Sequence, residues 1–97
     1  MTEFSNTFGL TMRNFQKFPE QPDVQELIEF GIRAEKLGYD SLWVWDHVLL
    51  GVDPHFPIID ALSLLTAISV ATKSINLGTG ILVLPVRNPV LLAKQLS

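Results

Sequence analysis

Two side chains capable of acid–base chemistry, Asp46 and His47, follow directly on the apolar run SLWVW of residues 41–45. A nearly continuous apolar run of this length is typical of a strand buried in a parallel sheet. In proteins built of alternating strands and helices, the chemistry lies at the carboxyl ends of such strands. The sequence therefore predicts that a buried strand over residues 41–45 presents Asp46 and His47 at the edge of a site.

Two interpretations of this pair fit its residue types. The imidazole of His47 can donate or accept a proton near neutral pH, and Asp46 could hold one of its tautomers. Alternatively, the pair is a turn that ends the strand, with the Asp46 carboxylate bonded to backbone amides. The sequence shows no nucleophile partner, no metal-ligand cluster and no glycine loop suited to phosphate, so redox chemistry on a stacked ring fits what is present.

Other residues that could do chemistry have simpler explanations. His55 lies two residues after Asp53, but no third metal ligand is in view, and a solvated loop histidine is the better interpretation. Trp43 and Trp45 are expected to pack in a core or barrel. Arg87 is expected to be a surface arginine ahead of a helix cap. A metal-dependent hydrolase on the same scaffold would need ligand clusters that the sequence does not show.

Composition excludes several classes of protein. The chain has 97 residues, of which 47% are hydrophobic and 18% charged, a formal net charge of −3 and no cysteine. Without a basic cluster a nucleic-acid surface is not expected, and without cysteine there is no disulfide scaffold or thiolate nucleophile. No apolar run reaches the roughly 18 to 20 residues of a membrane span, and residues 1–6 lack the features of a signal peptide. We therefore expect a cytoplasmic protein.

Helix signals and apolar runs divide the chain into alternating strands and helices. Asp23, Asp60 and Asn88 are suitable N-caps, Asn88 being followed by a proline, and Gly38 suits the end of the first helix. The predicted order is a strand at 7–12, a helix between Asp23 and Gly38, a strand at 41–45, a helix at 61–71, a strand at 75–84 and a helix at 90–97. This alternation predicts an α/β fold with a parallel sheet and right-handed crossovers.

The amount of hydrophobic sequence is high for so short a chain, because small domains have much surface per residue to keep in water. The last predicted helix has only about two turns, which is marginal for an isolated helix. Three strands cannot close an eight-stranded barrel, which usually takes about 250 residues. We therefore expect a piece of something larger, with open sheet edges that favour self-association.

An ordered set of short motifs resembles the N-terminal third of the bacterial luciferase-like oxidoreductases. The motifs are FGL at 8–10, AEKLGYD at 34–40, WVWDH at 43–47, DAL at 60–62, INLGTGI at 75–81, RNP at 87–89 and LAKQ at 92–95. The resemblance implies that residues 1–97 form a partial luciferase-like domain, the N-terminal β-α-β-α-β-α portion of a (β/α)8 TIM barrel.

The resemblance also implies a cofactor and a set of site residues. Family members use the deazaflavin F420 or FMN together with a small-molecule substrate, and the Asp-His pair favours F420. His47 and Asp46 match the catalytic pair beside the redox ring, with His47 contacting the deazaflavin or the substrate. Gly80 and Ile81 match a non-prolyl cis peptide that supports the back of the ring. An FMN-dependent monooxygenase and a non-catalytic, self-associating scaffold remain the alternatives, and the 97-residue chain alone is expected to be inactive.

Overall fold

The strands and helices alternate along the chain in the predicted order. A computed structural model describes residues 7–51 and 53–97; the prediction that residues 1–6 carry no signal peptide lies outside these residues. The elements are β1 (Gly9–Thr11), α1 (Val24–Lys36), β2 (Ser41–Val44), α2 (Ala61–Ala71), β3 (Asn76–Thr79), a 3₁₀ helix (Leu84–Val86) and α3 (Pro89–Leu96). No helix in this part of the chain is long and apolar enough to cross a membrane.

The three strands form one parallel sheet in the order β1-β2-β3. Leu42 of β2 lies opposite Leu10 of β1 and Leu77 of β3. Each crossover runs through a loop and a helix, as parallel pairing requires. The predicted α/β class and parallel sheet are thus confirmed. The described residues form three strands of this sheet and do not form a closed eight-stranded barrel.

The helices cover one face of the sheet. The fully buried core comprises Met12, Ala34, Leu42, Val44, Ala61, Leu64 and Ile68. Successive side chains of a strand point to opposite faces, so the intervening tryptophans of this strand segment lie on the other side, where Trp43 is 42% exposed and Trp45 36% exposed. The strand predicted to be buried is therefore covered on its helix face, whereas its other face is partly exposed in the described residues.

The uncovered face of the sheet is shaped by one tryptophan lying over two glycines. A Cβ atom on Gly78 would come within 2.7 Å of Trp43 Cζ3, and one on Gly9 within 2.9 Å of Trp43 Nε1. The indole nitrogen donates a hydrogen bond of 2.9 Å to the hydroxyl of Ser41. Trp43 therefore spans all three strands, and its close approach requires glycine on both neighbouring strands.

The helix starts were predicted correctly. The carboxylate of Asp23 accepts the backbone N–H groups of residues 25 and 26, and that of Asp60 accepts the N–H and the hydroxyl of Ser63. The side chain of Asn88 accepts the N–H groups of residues 90 and 91. The first helix ends before Gly38, whose φ of 91° suits glycine.

The third strand is shorter than predicted. Regular pairing ends at Thr79 rather than at residue 84, and Pro85 lies within the 3₁₀ helix. The amide of Gly80 still donates to the carbonyl of Val44 at 2.9 Å. Beyond that point β2 has ended, so the backbone leaves the sheet and its amides find other acceptors.

Opposite the carboxyl edge, a glutamate holds the turn between α2 and β3. The Glu35 carboxylate accepts the backbone N–H groups of Ser74 at 2.6 Å, Ile75 at 2.9 Å and Lys73 at 2.8 Å. These hydrogen bonds favour the charged form and hold the pKa of Glu35 below its usual value. The contact joins the end of α1 to the start of β3.

Candidate functional site

The chain leaves the carboxyl ends of all three strands at one edge of the sheet, since the strands are parallel. A buried amide organises this edge. Asn14, which is 0% exposed, donates from Nδ2 to the carbonyls of Trp45 and Ile59, both at 2.9 Å. Its Oδ1 accepts the N–H of Trp45 at 3.0 Å. Asn14 thus fixes the backbone immediately before Asp46, a role that sequence analysis missed.

No local signal identifies Asn14 in the sequence. It lies in a loop, and asparagine is common in loops. Its hydrogen-bond partners are 31 and 45 residues away in the sequence. Its role becomes visible only in the fold, which brings the ends of β1 and β2 together so that the amide can form these hydrogen bonds.

Asp46 is buried and fully engaged. It is 6% exposed, and its Oδ2 accepts the backbone N–H of Val83 at 2.7 Å and Nε–H of Arg87 at 3.4 Å. Its Oδ1 accepts from the Arg87 Nη2 at 2.5 Å. These partners, the Val83 amide and the Arg87 guanidinium, are 37 and 41 residues away rather than in a local turn.

Arg87 is not the surface arginine that was predicted. Its side chain is 17% exposed and pairs with Asp46 and, at 3.5 Å, with Asp60. The hydrogen bond that Arg87 donates to Asp46, followed by the charges of both carboxylates, outweighs burial and raises the pKa of Arg87 above its usual value. Burial would raise the pKa of Asp60, but hydrogen bonds from Ser63 and the charge of Arg87 lower it overall.

His47 takes no part in this hydrogen-bond network. It is exposed, and among the described residues its imidazole has no hydrogen-bond partner. It lies on an open cleft of about 310 Å³, whose lining consists of Asp46, His47, Val48, Ile58, Asp60, Val86 and Arg87. Its ring centroid is 6.2 Å from that of Trp45, which is 4.8 Å from Phe15. An unpartnered imidazole on a cleft is available to a ligand.

The Gly80–Ile81 peptide bond is cis, as the resemblance implies. Gly80 presents an open surface, because, its chain neighbours aside, the only atom of the described residues within 4 Å of a Cβ built on it is Trp43 Cε3 at 3.9 Å. Ile81 is 81% exposed. The fold thus puts this peptide at the end of β3, next to the β2 end that bears His47, although it does not line the His47 cleft itself.

A metal centre has no support in the described residues 7–51 and 53–97, which contain no group of three or more side chains able to hold a metal ion. His55 is exposed and lies 5.8 Å from the ring of Phe18. These surroundings are those of a loop histidine.

Comparison with known proteins gives consistent results. The chain is 37% identical over 81 residues to a protein of Amycolatopsis mediterranei named F420-dependent glucose-6-phosphate dehydrogenase, covering 80% of this chain and 24% of the relative. It is 36% identical over 96 residues to a protein of the same name from Kineococcus radiotolerans, covering 95% of this chain and 28% of the relative. The chain therefore spans about a quarter of the length of these curated relatives.

The family comparison covers nearly the whole chain. The model of the luciferase-like monooxygenases matches residues 7–97, a range that includes all three strands, the Asp46–His47 pair and the Gly80–Ile81 peptide. The chain belongs to the luciferase-like monooxygenase family.

Proposed function

We propose that the protein is an F420-dependent oxidoreductase, and that this chain forms the part of the cofactor site next to the redox ring. The observation that carries the proposal is the exposed imidazole of His47 at the carboxyl end of β2, without a hydrogen-bond partner in the described part of the chain. It lies one strand away from the open Gly80–Ile81 backbone. The F420-dependent names of both relatives support the choice of cofactor over FMN.

The residues at this edge fit a flat ring. A planar ligand needs backbone that it can approach without a side chain in the way, and the surroundings of Gly80 leave that space. The exposed side chain of Ile81 and the aromatic ring of Trp45 offer apolar contact area nearby. Gly80 and Ile81 would support the ring from one side, and His47 would contact its edge or the substrate.

When bound, F420 accepts or returns a hydride at its ring. The protein's part is to hold the substrate and to manage the accompanying proton. His47 suits this task, because an imidazole exchanges a proton near neutral pH and a cleft position lets it reach a substrate oxygen. Asp46 was expected to share the catalytic role, but its occupied oxygens favour a supporting one. We propose a small hydroxyl compound as the substrate class, in keeping with the sugar phosphate in the relatives' names.

A binding comparison tests the proposal. The purified 97-residue chain is titrated with F420 and with FMN, and binding is followed by fluorescence of each cofactor. In barrels of this kind phosphate groups commonly bind near the last strands, so we expect weak binding of F420, weaker still for FMN, and no turnover. His47→Ala is expected to lower F420 affinity about tenfold, which corresponds to about 1.4 kcal/mol.

His55→Ala is the matched control, since it removes the other exposed histidine and should leave F420 affinity unchanged. Tighter binding of FMN would replace the proposal by an FMN-dependent monooxygenase. Equal losses in both histidine variants would contradict a role for His47. The intact mass of the protein made by its source cell, compared with 10.8 kDa, shows whether the titration should be repeated on a longer protein.

A self-associating scaffold is the second candidate, favoured by exposed apolar side chains beyond β3. Those exposed by more than half are Ile81, Leu84, Val86, Val90, Leu91 and Leu96. Together with the unpaired outer edges of β1 and β3 in the described sheet, they offer a surface for a second copy. Light scattering over a range of concentrations tests this, and a monomer at every concentration would count against it.

A further inference from the structure

One buried carboxylate joins the two strand ends on which the proposed site is built. Asp46 belongs to the end of β2, while its partners Val83 and Arg87 belong to the segment that follows β3. Through Arg87 the contact continues to Asp60, the residue that caps α2. Three parts of the fold, distant in sequence, therefore meet at one guanidinium.

The segment containing the cis peptide is fastened to β2 on both sides. Before it, the amide of Gly80 donates to the carbonyl of Val44 at 2.9 Å. After it, the amide of Val83 donates to the Asp46 carboxylate at 2.7 Å. Ile81 and residue 82 lie between these two hydrogen bonds, so the position of the open backbone depends on where the Asp46 carboxylate is held.

The same carboxylate also governs the neighbouring histidine. His47 follows Asp46 directly, and its imidazole has no contact within the described residues that fixes it beyond the ring of Trp45. The backbone that leads to His47 is therefore held twice, by Asn14 through Trp45 and by the anchored Asp46 side chain.

We infer that Arg87 is a positioning residue: acting through Asp46, it sets His47 and the Gly80–Ile81 backbone relative to one another. Its planar guanidinium presents two nitrogens to the carboxylate in a fixed geometry, which a lysine cannot do. At 17% side-chain exposure the pair is shielded from solvent screening. The inference rests on the proposed function only for its consequence, the placement of the cofactor ring.

Two other roles for these charges fit the structure less well. Arg87 is a poor anchor for an anionic ligand, because two carboxylates already balance its charge and engage its Nε and Nη2 atoms. Asp46 is a poor proton carrier, because it is buried and both its oxygens accept hydrogen bonds. The role that fits the Asp46–Arg87 pair best is to hold His47 and the Gly80–Ile81 backbone in place.

The test uses Arg87→Met and Arg87→Lys in the ligand-free 97-residue chain, with Arg33→Met as a matched control on the exposed side of α1. The NMR signals of the His47 imidazole and of the amides of residues 80–83 report on the site without any cofactor. We expect Arg87→Met to shift these signals and to speed hydrogen exchange at the Val83 amide at least about tenfold.

The outcomes separate a positioning role from a purely structural one. Arg87→Lys keeps the charge and should shift the same signals less, and it also provides a folded variant if Arg87→Met unfolds. Asp46→Asn should shift the same signals as Arg87→Met, since Arg87 acts on them through the Asp46 carboxylate. If Arg87→Met lowers only the unfolding midpoint and leaves the signals of His47 and residues 80–83 unchanged, the inference is wrong.

A titration with F420 adds the functional consequence. Arg87→Met should weaken binding at least about tenfold, whereas Arg33→Met should not. Failure of the unaltered chain to bind F420 would contradict the proposed function, and the NMR comparison would still decide the positioning role of Arg87.

Discussion

Replacing Asn14 by alanine should destabilise the protein strongly for so small a change. The side chain is 0% exposed, and its amide makes three hydrogen bonds to backbone groups of Trp45 and Ile59. A net contribution of about 1 kcal/mol for each bond gives a loss of about 3 kcal/mol. The partners are also left without a hydrogen bond, which costs more wherever water cannot reach them.

The structural effect of losing these hydrogen bonds should be concentrated at the candidate functional site. The two hydrogen bonds with Trp45 hold the residue that precedes Asp46, and the third holds Ile59, which precedes the cap of α2. Without the amide, the end of β2 and the segment before α2 lose the side chain that bonds to both, although the backbone hydrogen bond from Ile59 to the Asn14 carbonyl is kept. We therefore expect the environment of His47 to change along with the free energy of unfolding.

Urea unfolding followed by tryptophan fluorescence measures the loss in free energy of unfolding. The slope of that free energy against urea concentration should be unchanged. Asn76→Ala, which removes an exposed asparagine from β3, is the control and should change stability by less than about 0.5 kcal/mol. Asn14→Asp keeps one acceptor but loses both donors and buries a charge, so it should be at least as destabilising as alanine. A loss below about 1 kcal/mol for Asn14→Ala would refute the reasoning and indicate that water replaces the amide.

Two further predictions concern other parts of the fold. The low pKa of Glu35, due first to the amide of Ser74 and then to its two neighbours, means that its contribution to stability is complete above the unfolded-state pKa and is lost as the pH falls through the folded-state pKa. Glu35→Gln should therefore reduce the loss of free energy of unfolding as the pH falls. Gly78→Ala should lower the free energy of unfolding by about 1–3 kcal/mol, since its Cβ would lie 2.7 Å from Trp43. Unfolding curves should show a smaller loss when the same substitution is made in a Trp43→Leu variant. An equal loss in that variant would contradict the contact.

Sequence patterns predicted well what depends on near neighbours. Asp23, Asp60 and Asn88 each bond to amides two or three residues away, so their types and positions were sufficient to find the helix starts. The apolar run of β2 was likewise recognised from its composition. The end of β3 was not, because the run through Leu84 remains apolar while its pairing partner, β2, has already ended at Val44.

Distant contacts decided the parts of the site that the sequence did not reveal. Val83 and Arg87 are 37 and 41 residues from Asp46, and nothing in the local pattern distinguishes Arg87 from an exposed arginine ahead of a cap. The Gly80–Ile81 peptide was identified only through a family resemblance, since no rule of composition or spacing marks it.

The adjacency of Asp46 and His47 in sequence is also the reason why they have different surroundings. In extended backbone leaving a strand, successive side chains point to opposite sides. One of the two must therefore turn towards the protein and the other away from it. Asp46, at 6% exposure, turns inward to Val83 and Arg87, and His47 is left exposed on the cleft. The two side chains therefore line one cleft in different states: the Asp46 carboxylate is held by hydrogen bonds, and the His47 imidazole has none within the described residues.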